Sequence, residues 1–165
     1  MPDLKPLSRE AVPRALEKAE RYRLLKEPEQ AESICQDVLL IEPDNQKALV
    51  TLLLALTDQF LGMHRTVEEA RELLPRLSGE YEQAYYAGII CERRARALLA
   101  KAGPGSGFVA YDFFQQALAW YRKAEASRPA GNDDALLRWN TCVRVLERHA
   151  ELQPAPEEHT ELSLE

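Results

Sequence analysis

The side chains best suited to chemistry are few and scattered. His64, His149 and His159 are the histidines, and Cys35, Cys91 and Cys142 are the cysteines. A metal site needs several such ligands at convergent spacing, yet the chain has neither a CxxC nor an HxxxH pair. No Ser or Cys sits in a nucleophile elbow, and the isolated histidines offer such a nucleophile no evident base. Gly103-Pro104-Gly105-Ser106-Gly107 lacks the Lys-Ser/Thr that a phosphate loop requires, so it reads as a turn. The pairs Glu68-Glu69 and Glu157-Glu158 fall on polar stretches that read as solvated. The expectation is a chain with no catalytic residue, no metal and no cofactor. A small helical enzyme would need a polar constellation that the sequence does not display.

Bulk properties narrow the classes further. The chain has 165 residues, 45% of them hydrophobic, which suits one globular domain or a short repeat array. The net charge is -6, and residues 147 to 165 hold six acidic side chains against one arginine. The rest of the chain is therefore nearly neutral, without the basic stripe that nucleic-acid binding needs. No apolar run approaches the ~18 residues of a membrane span, and MPDLKPLSRE has no basic-then-apolar leader pattern. A cytoplasmic protein is expected, with the three cysteines as buried free thiols among apolar helical neighbours.

The elements that would position any site are helices. Pro13 can open the first, with Ala15, Leu16, Ala19, Tyr22 and Leu25 on one face. Pro28 ends it and opens the second, to about Ile41. The third, Gln46 to about Leu61, is apolar almost all round and is expected at the centre. Thr66 and Glu69 have capping-box spacing ahead of a fourth helix that Pro75 should kink or shorten. The fifth runs from about Tyr81 to Lys101, the sixth from about Val109 to Ser127. Asn132 is a good cap for the seventh, which places Leu136, Trp139, Val143 and Leu146 together and leaves Arg138, Arg144, Glu147 and Arg148 outside. Residues 1–11 read as a loose lead-in and 151–165 as a mobile acidic tail.

Two stretches share one spacing. Ala31, Cys35, Val38 and Pro43 are separated by steps of four, three and five, as are Ala117, Tyr121, Ala124 and Pro129. The turn IEPDNQKAL follows the first copy, and Gly88 precedes the second. On these residues the chain resembles the tetratricopeptide repeat (TPR) family, built from ~34-residue helix-turn-helix units. The resemblance covers about residues 12 to 146. It implies an all-α, right-handed superhelix of about three repeats, 12–45, 46–80 and 81–131, with a capping helix at 132–150. Repeat two lacks its closing proline and has about five extra residues. Repeat three has about seventeen extra, which predicts a projecting hairpin from Cys91 to Tyr111 carrying Arg93, Arg94, Arg96 and Lys101.

The resemblance also implies a concave groove lined by the first helix of each repeat. Transferred onto this chain, the groove positions are Leu16, Glu20 and Arg23; Lys47, Val50, Leu54 and Asp58; and Tyr85, Ile89, Glu92 and Arg93. Its middle is apolar and its edges are charged, which suits an extended peptide or an amphipathic helix. Val50 and Leu54 have the alternative reading of plain core, covered by the seventh helix. The implied function is non-catalytic binding of a protein or peptide, as in a small bacterial adaptor or chaperone. A self-associating homodimer is the second reading.

Overall fold

The structure, a computed structural model, describes residues 1–157. The described residues form an all-helical protein with seven α-helices. These are α1 (Val12–Leu24), α2 (Pro28–Ile41), α3 (Gln46–Thr57), α4 (Val67–Arg71), α5 (Glu80–Lys101), α6 (Ser106–Ala126) and α7 (Asp134–Arg148). Short connections bring sequence neighbours together: α1 lies on α2, α2 on α3, α5 on α6, and α6 on α7. The first helices of successive pairs also touch, α1 against α3 and α3 against α5.

Proline, glycine and side-chain caps set most of the helix ends. Pro13 occupies the first turn of α1 and Pro28 the first turn of α2. Between them the chain reverses at Lys26, whose φ of 62° lets the Glu27 N–H reach back to the Tyr22 carbonyl at 2.9 Å. The Asn45 side chain accepts the Ala48 N–H at 2.9 Å and starts α3. At α4 the Thr66 hydroxyl accepts the Glu69 N–H while the Glu69 carboxylate accepts the Thr66 N–H, the reciprocal box that the spacing implied.

Several boundaries differ from the sequence expectation. Helix α3 ends at Thr57 rather than near Leu61. The Gln59 and Phe60 N–H groups switch to three-residue bonds with Leu56 and Thr57, so the α-helical ladder stops there. Pro75 truncates α4 to five residues and leaves a 3₁₀ turn at Leu74–Arg76. Helix α6 begins at Ser106, inside the glycine-rich break. Asn132 does not cap α7 from the N-cap position, which Asp133 holds. Its Oδ1 instead accepts the Asp134 N–H at 3.0 Å and the Tyr81 hydroxyl at 3.3 Å.

Two buried clusters make up most of the core. One joins α1 to α4 through Ala19, Leu49, Leu53, Phe60 and Leu77, with Ile90 of α5 added. The other joins α5, α6 and α7 through Ile89, Phe114, Tyr121 and Cys142. Leu54 and Tyr86 pack against both and connect them. The α5–α6 hairpin does not project freely: Cys91, Ala95 and Ala110 are buried along it. Leu152 is buried in the same cluster, and the Glu151 carbonyl fills the space a side chain on Gly107 would need. The packed unit thus reaches Leu152, past the expected boundary at 150. The rest of the expected tail is exposed from Gln153 to Glu157, and residues 158–165 lie outside the described residues.

Candidate functional site

Three of the eleven expected groove residues are interior. Leu16 packs with Val12, Val38 and Ala48 between α1, α2 and α3. Ile89 lies in the α5–α7 core. Glu92 is 0% exposed. Ile89 and Glu92 are covered by α6 and α7, whereas Leu16 keeps an edge on a cleft of about 370 Å³ beside Lys47 and Glu42. Tyr85 is half-buried, stacked on Tyr81 with ring centroids 5.7 Å apart and set edge-on to Tyr86. Leu54 and Val50 are half-buried and pack on core residues while keeping one side open.

The remaining residues form one surface across α1, α3 and α5. Lys47 lies 3.6 Å from Glu20 in an exposed ion pair between α3 and α1. Farther along, Asp58 follows the last turn of α3 and takes guanidinium groups from both sides. Arg23 Nε donates to its Oδ2 at 2.8 Å and Arg93 Nη1 to its Oδ1 at 2.9 Å. Each arginine is 35 residues from Asp58 in sequence. Arg23 reaches Asp58 from the last turn of α1 and Arg93 from the middle of α5, so the carboxylate ties the three helices together.

Clefts open on both sides of Asp58. One, of about 350 Å³, is bounded by Arg23, Leu24, Lys26 and Pro28, and a larger one of about 650 Å³ extends past Leu61 and His64. On the other side a cleft of about 370 Å³ is lined by Thr57, Leu61, Ala97 and Ala100 together with Arg93, Arg96 and Arg138. Asp58 borders all three.

Beneath this last cleft lies Glu92. Its Oε1 accepts Arg96 Nε at 3.0 Å and Arg138 Nη1 at 3.4 Å, and its Oε2 accepts the Tyr121 hydroxyl at 2.6 Å. A buried carboxylate needs such partners, and Glu92 finds all of its own in side chains. Burial pushes the Tyr121 phenol up, and the adjacent Glu92 charge adds to that. Burial works against the Arg138 charge, but Glu92 beside it holds the guanidinium above its usual value. Cys142 faces the same carboxylate, and mainly through burial its thiol is pushed up to about 12. Buried protonated thiols are poor nucleophiles and poor metal ligands. Among the described residues, no group of three His, Cys, Asp or Glu side chains could hold a metal ion.

Sequence reasoning had passed over part of this arrangement. Arg96 stands one helical turn after Glu92, a legible spacing, and pairs with it instead of standing free on a projecting hairpin. Arg138, expected on the outer face of α7, turns inward to Glu92. A second buried network was also missed. Glu32 is 5% exposed, accepts Gln59 Nε2 at 2.8 Å and pairs with Arg65, joining α2 to the loop after α3. Among the described residues, no helix is long and apolar enough to cross a membrane. Comparison with protein-family models, with curated proteins and with solved structures finds no match for the chain.

Proposed function

We propose that this chain is a non-catalytic, TPR-like interaction module. Its binding face runs across α1, α3 and α5 through Glu20, Arg23, Lys47, Val50, Asp58 and Arg93. The observation that supports this most is Asp58 held between Arg23 of α1 and Arg93 of α5. Stacked helical units use such a row across their first helices as a continuous surface for a peptide or helix. The clefts flanking Asp58 supply recesses for side chains along that row.

The test is capture of a specific cellular protein by the wild type, by Val50→Glu and by Lys47→Glu, with helicity and melting recorded for each. Lys47 is half-exposed, so its variant keeps the test decisive if Val50→Glu unfolds. A protein bound by the wild type and lost by a folded variant supports the reading; equal capture by all three rejects it. Self-association is the second reading, favoured by exposed Leu24, Leu25, Leu61 and Met63. Sedimentation that shows a dimer dispersed by Leu24→Glu/Leu61→Glu would favour it.

A further inference from the structure

We propose that the cleft between the end of α3, the middle of α5 and α7 binds side-chain carboxylates of an acidic, leucine-bearing peptide segment. The inference rests on the binding face described above and names the chemistry of its occupant. Four guanidiniums, of Arg23, Arg93, Arg96 and Arg138, share two carboxylates, Asp58 and Glu92. Among the described residues no other acidic group lies within ion-pair distance of these arginines, so the row keeps two positive charges in excess.

The arginines are both held and available. Glu92 is fully buried and fixes Arg96 and Arg138 from below, while Asp58 fixes Arg93 from the side. Their side chains remain 31%, 39% and 36% exposed in the order Arg93, Arg96, Arg138. A guanidinium has five N–H donors in a planar fork, and Arg93 and Arg96 each direct one of them at these carboxylates. The remaining donors suit a further carboxylate, whose two oxygens match the fork. Because the arginines are already anchored, little side-chain entropy is lost when they take up a ligand.

The walls of the cleft specify the rest of the occupant. Ala97 and Ala100 give a shallow apolar floor along α5, and Leu61 stands 54% exposed at the rim with Leu24 at 85% beyond Asp58. A segment alternating acidic and leucine-like residues would place carboxylates on the arginines and apolar groups on these leucines. A bare phosphate chain or an oligonucleotide would meet the arginines but leave the leucines uncovered.

The experiment uses the full chain and a fluorescently labelled peptide of glutamate and leucine at helical spacing, followed by anisotropy. A matched peptide has glutamine in place of glutamate, and a single-stranded oligonucleotide is the third probe. Two variants are compared with wild type. Arg93→Gln removes one guanidinium while Arg23 still holds Asp58. Ala100→Glu adds a negative charge at an exposed site of the cleft, one turn after Arg96, and removes none of the arginines or carboxylates. The glutamate peptide is expected to bind, the glutamine peptide and oligonucleotide to bind at least about tenfold more weakly, and each variant to lose about tenfold, the size of one charged hydrogen bond. Equal binding of glutamate and glutamine peptides, tighter binding of the oligonucleotide, or unchanged affinity in Ala100→Glu would overturn the proposal. If the peptide fails to bind while Lys47→Glu still abolishes capture of a cellular partner, only the carboxylate inference falls. If peptide binding holds but capture is insensitive to Val50 and Lys47, the broader face is wrong.

Discussion

Gly88 of α5 and Tyr121 of α6 occupy one close contact. A Cβ placed on Gly88 would lie 2.5 Å from Cε1 of the Tyr121 ring. The missing side chain lets the two long helices approach until the Tyr121 hydroxyl reaches Glu92, one turn beyond Gly88, at 2.6 Å. Gly88→Ala should therefore cost more than overpacking alone, because moving the ring also breaks this bond. The expected loss is about 2–3 kcal/mol in chemical denaturation. Tyr121→Phe keeps the ring, and Glu92 keeps two arginines, so it should cost about 1 kcal/mol. Similar small costs for both variants would show that the helices separate freely.

The Glu92 network should respond asymmetrically. Removing both Arg96 and Arg138 leaves a fully buried carboxylate with only a phenol, and the expected cost is about 3–5 kcal/mol. Glu92→Gln frees two partly exposed arginines to turn toward water and keeps an acceptor for Tyr121, so the loss should be smaller. The comparison is made by urea denaturation of the double arginine variant and of Glu92→Gln. An equal or larger loss for Glu92→Gln would contradict the assignment of Glu92 as the buried anchor.

Asp58 should couple Arg23 and Arg93. Asp58→Asn weakens both pairs together and leaves two like charges facing each other. At these part-exposed positions the expected cost is about 1 kcal/mol, more than either Arg23→Gln or Arg93→Gln alone. A double-mutant cycle measures this. Strict additivity of the two arginine variants would mean that the pairs act separately.

The helices were legible because their ends are written in local chemistry. Pro13, Pro28, Asn45 and the Thr66–Glu69 box each act on the turn that contains them. The close helix approach at Gly88 was implied by the resemblance, but that Tyr121 is the side chain it meets follows only from the packing of α5 on α6. Glu92 was not: its charge reads as surface, and its burial depends on Arg138, 46 residues downstream. Nothing near Arg138 in sequence indicates that it turns inward, because that follows from how α7 lies on α6. The buried Glu32–Arg65 pair escaped for the same reason, being 33 residues apart. The resemblance implies groove positions at Leu16 and Ile89; the packing of α6 and α7 covers Ile89, while Leu16 keeps an edge on a cleft beside Lys47.

The thiols should make the protein sensitive to alkali. Burial pushes Cys35 and Cys142 from 9.0 up to about 12. The folded chain holds these protons where the unfolded chain releases them. The stabilisation is complete below pH 9 and falls as pH rises toward 12, by about 1 kcal/mol per pH unit for each thiol. Denaturation at pH 8, 9 and 10 should show stability declining above 9, with a smaller decline in Cys35→Ala/Cys142→Ala. At pH 8 a thiol reagent should label both cysteines only after unfolding. Rapid labelling of the native chain would contradict their burial.

Site-directed photo-crosslinking in cells tests the proposed binding face most directly. A photoreactive residue is placed in turn at Glu20, Lys47 and Ala100 on the α1–α3–α5 face, and at Leu40, Gln115 and Glu125 on the exposed sides of α2 and α6. The prediction is one shared protein adduct from the first three positions and none from the others. An adduct formed equally at both sets, or only from α2 and α6, would contradict the assignment of this face as the site of interaction.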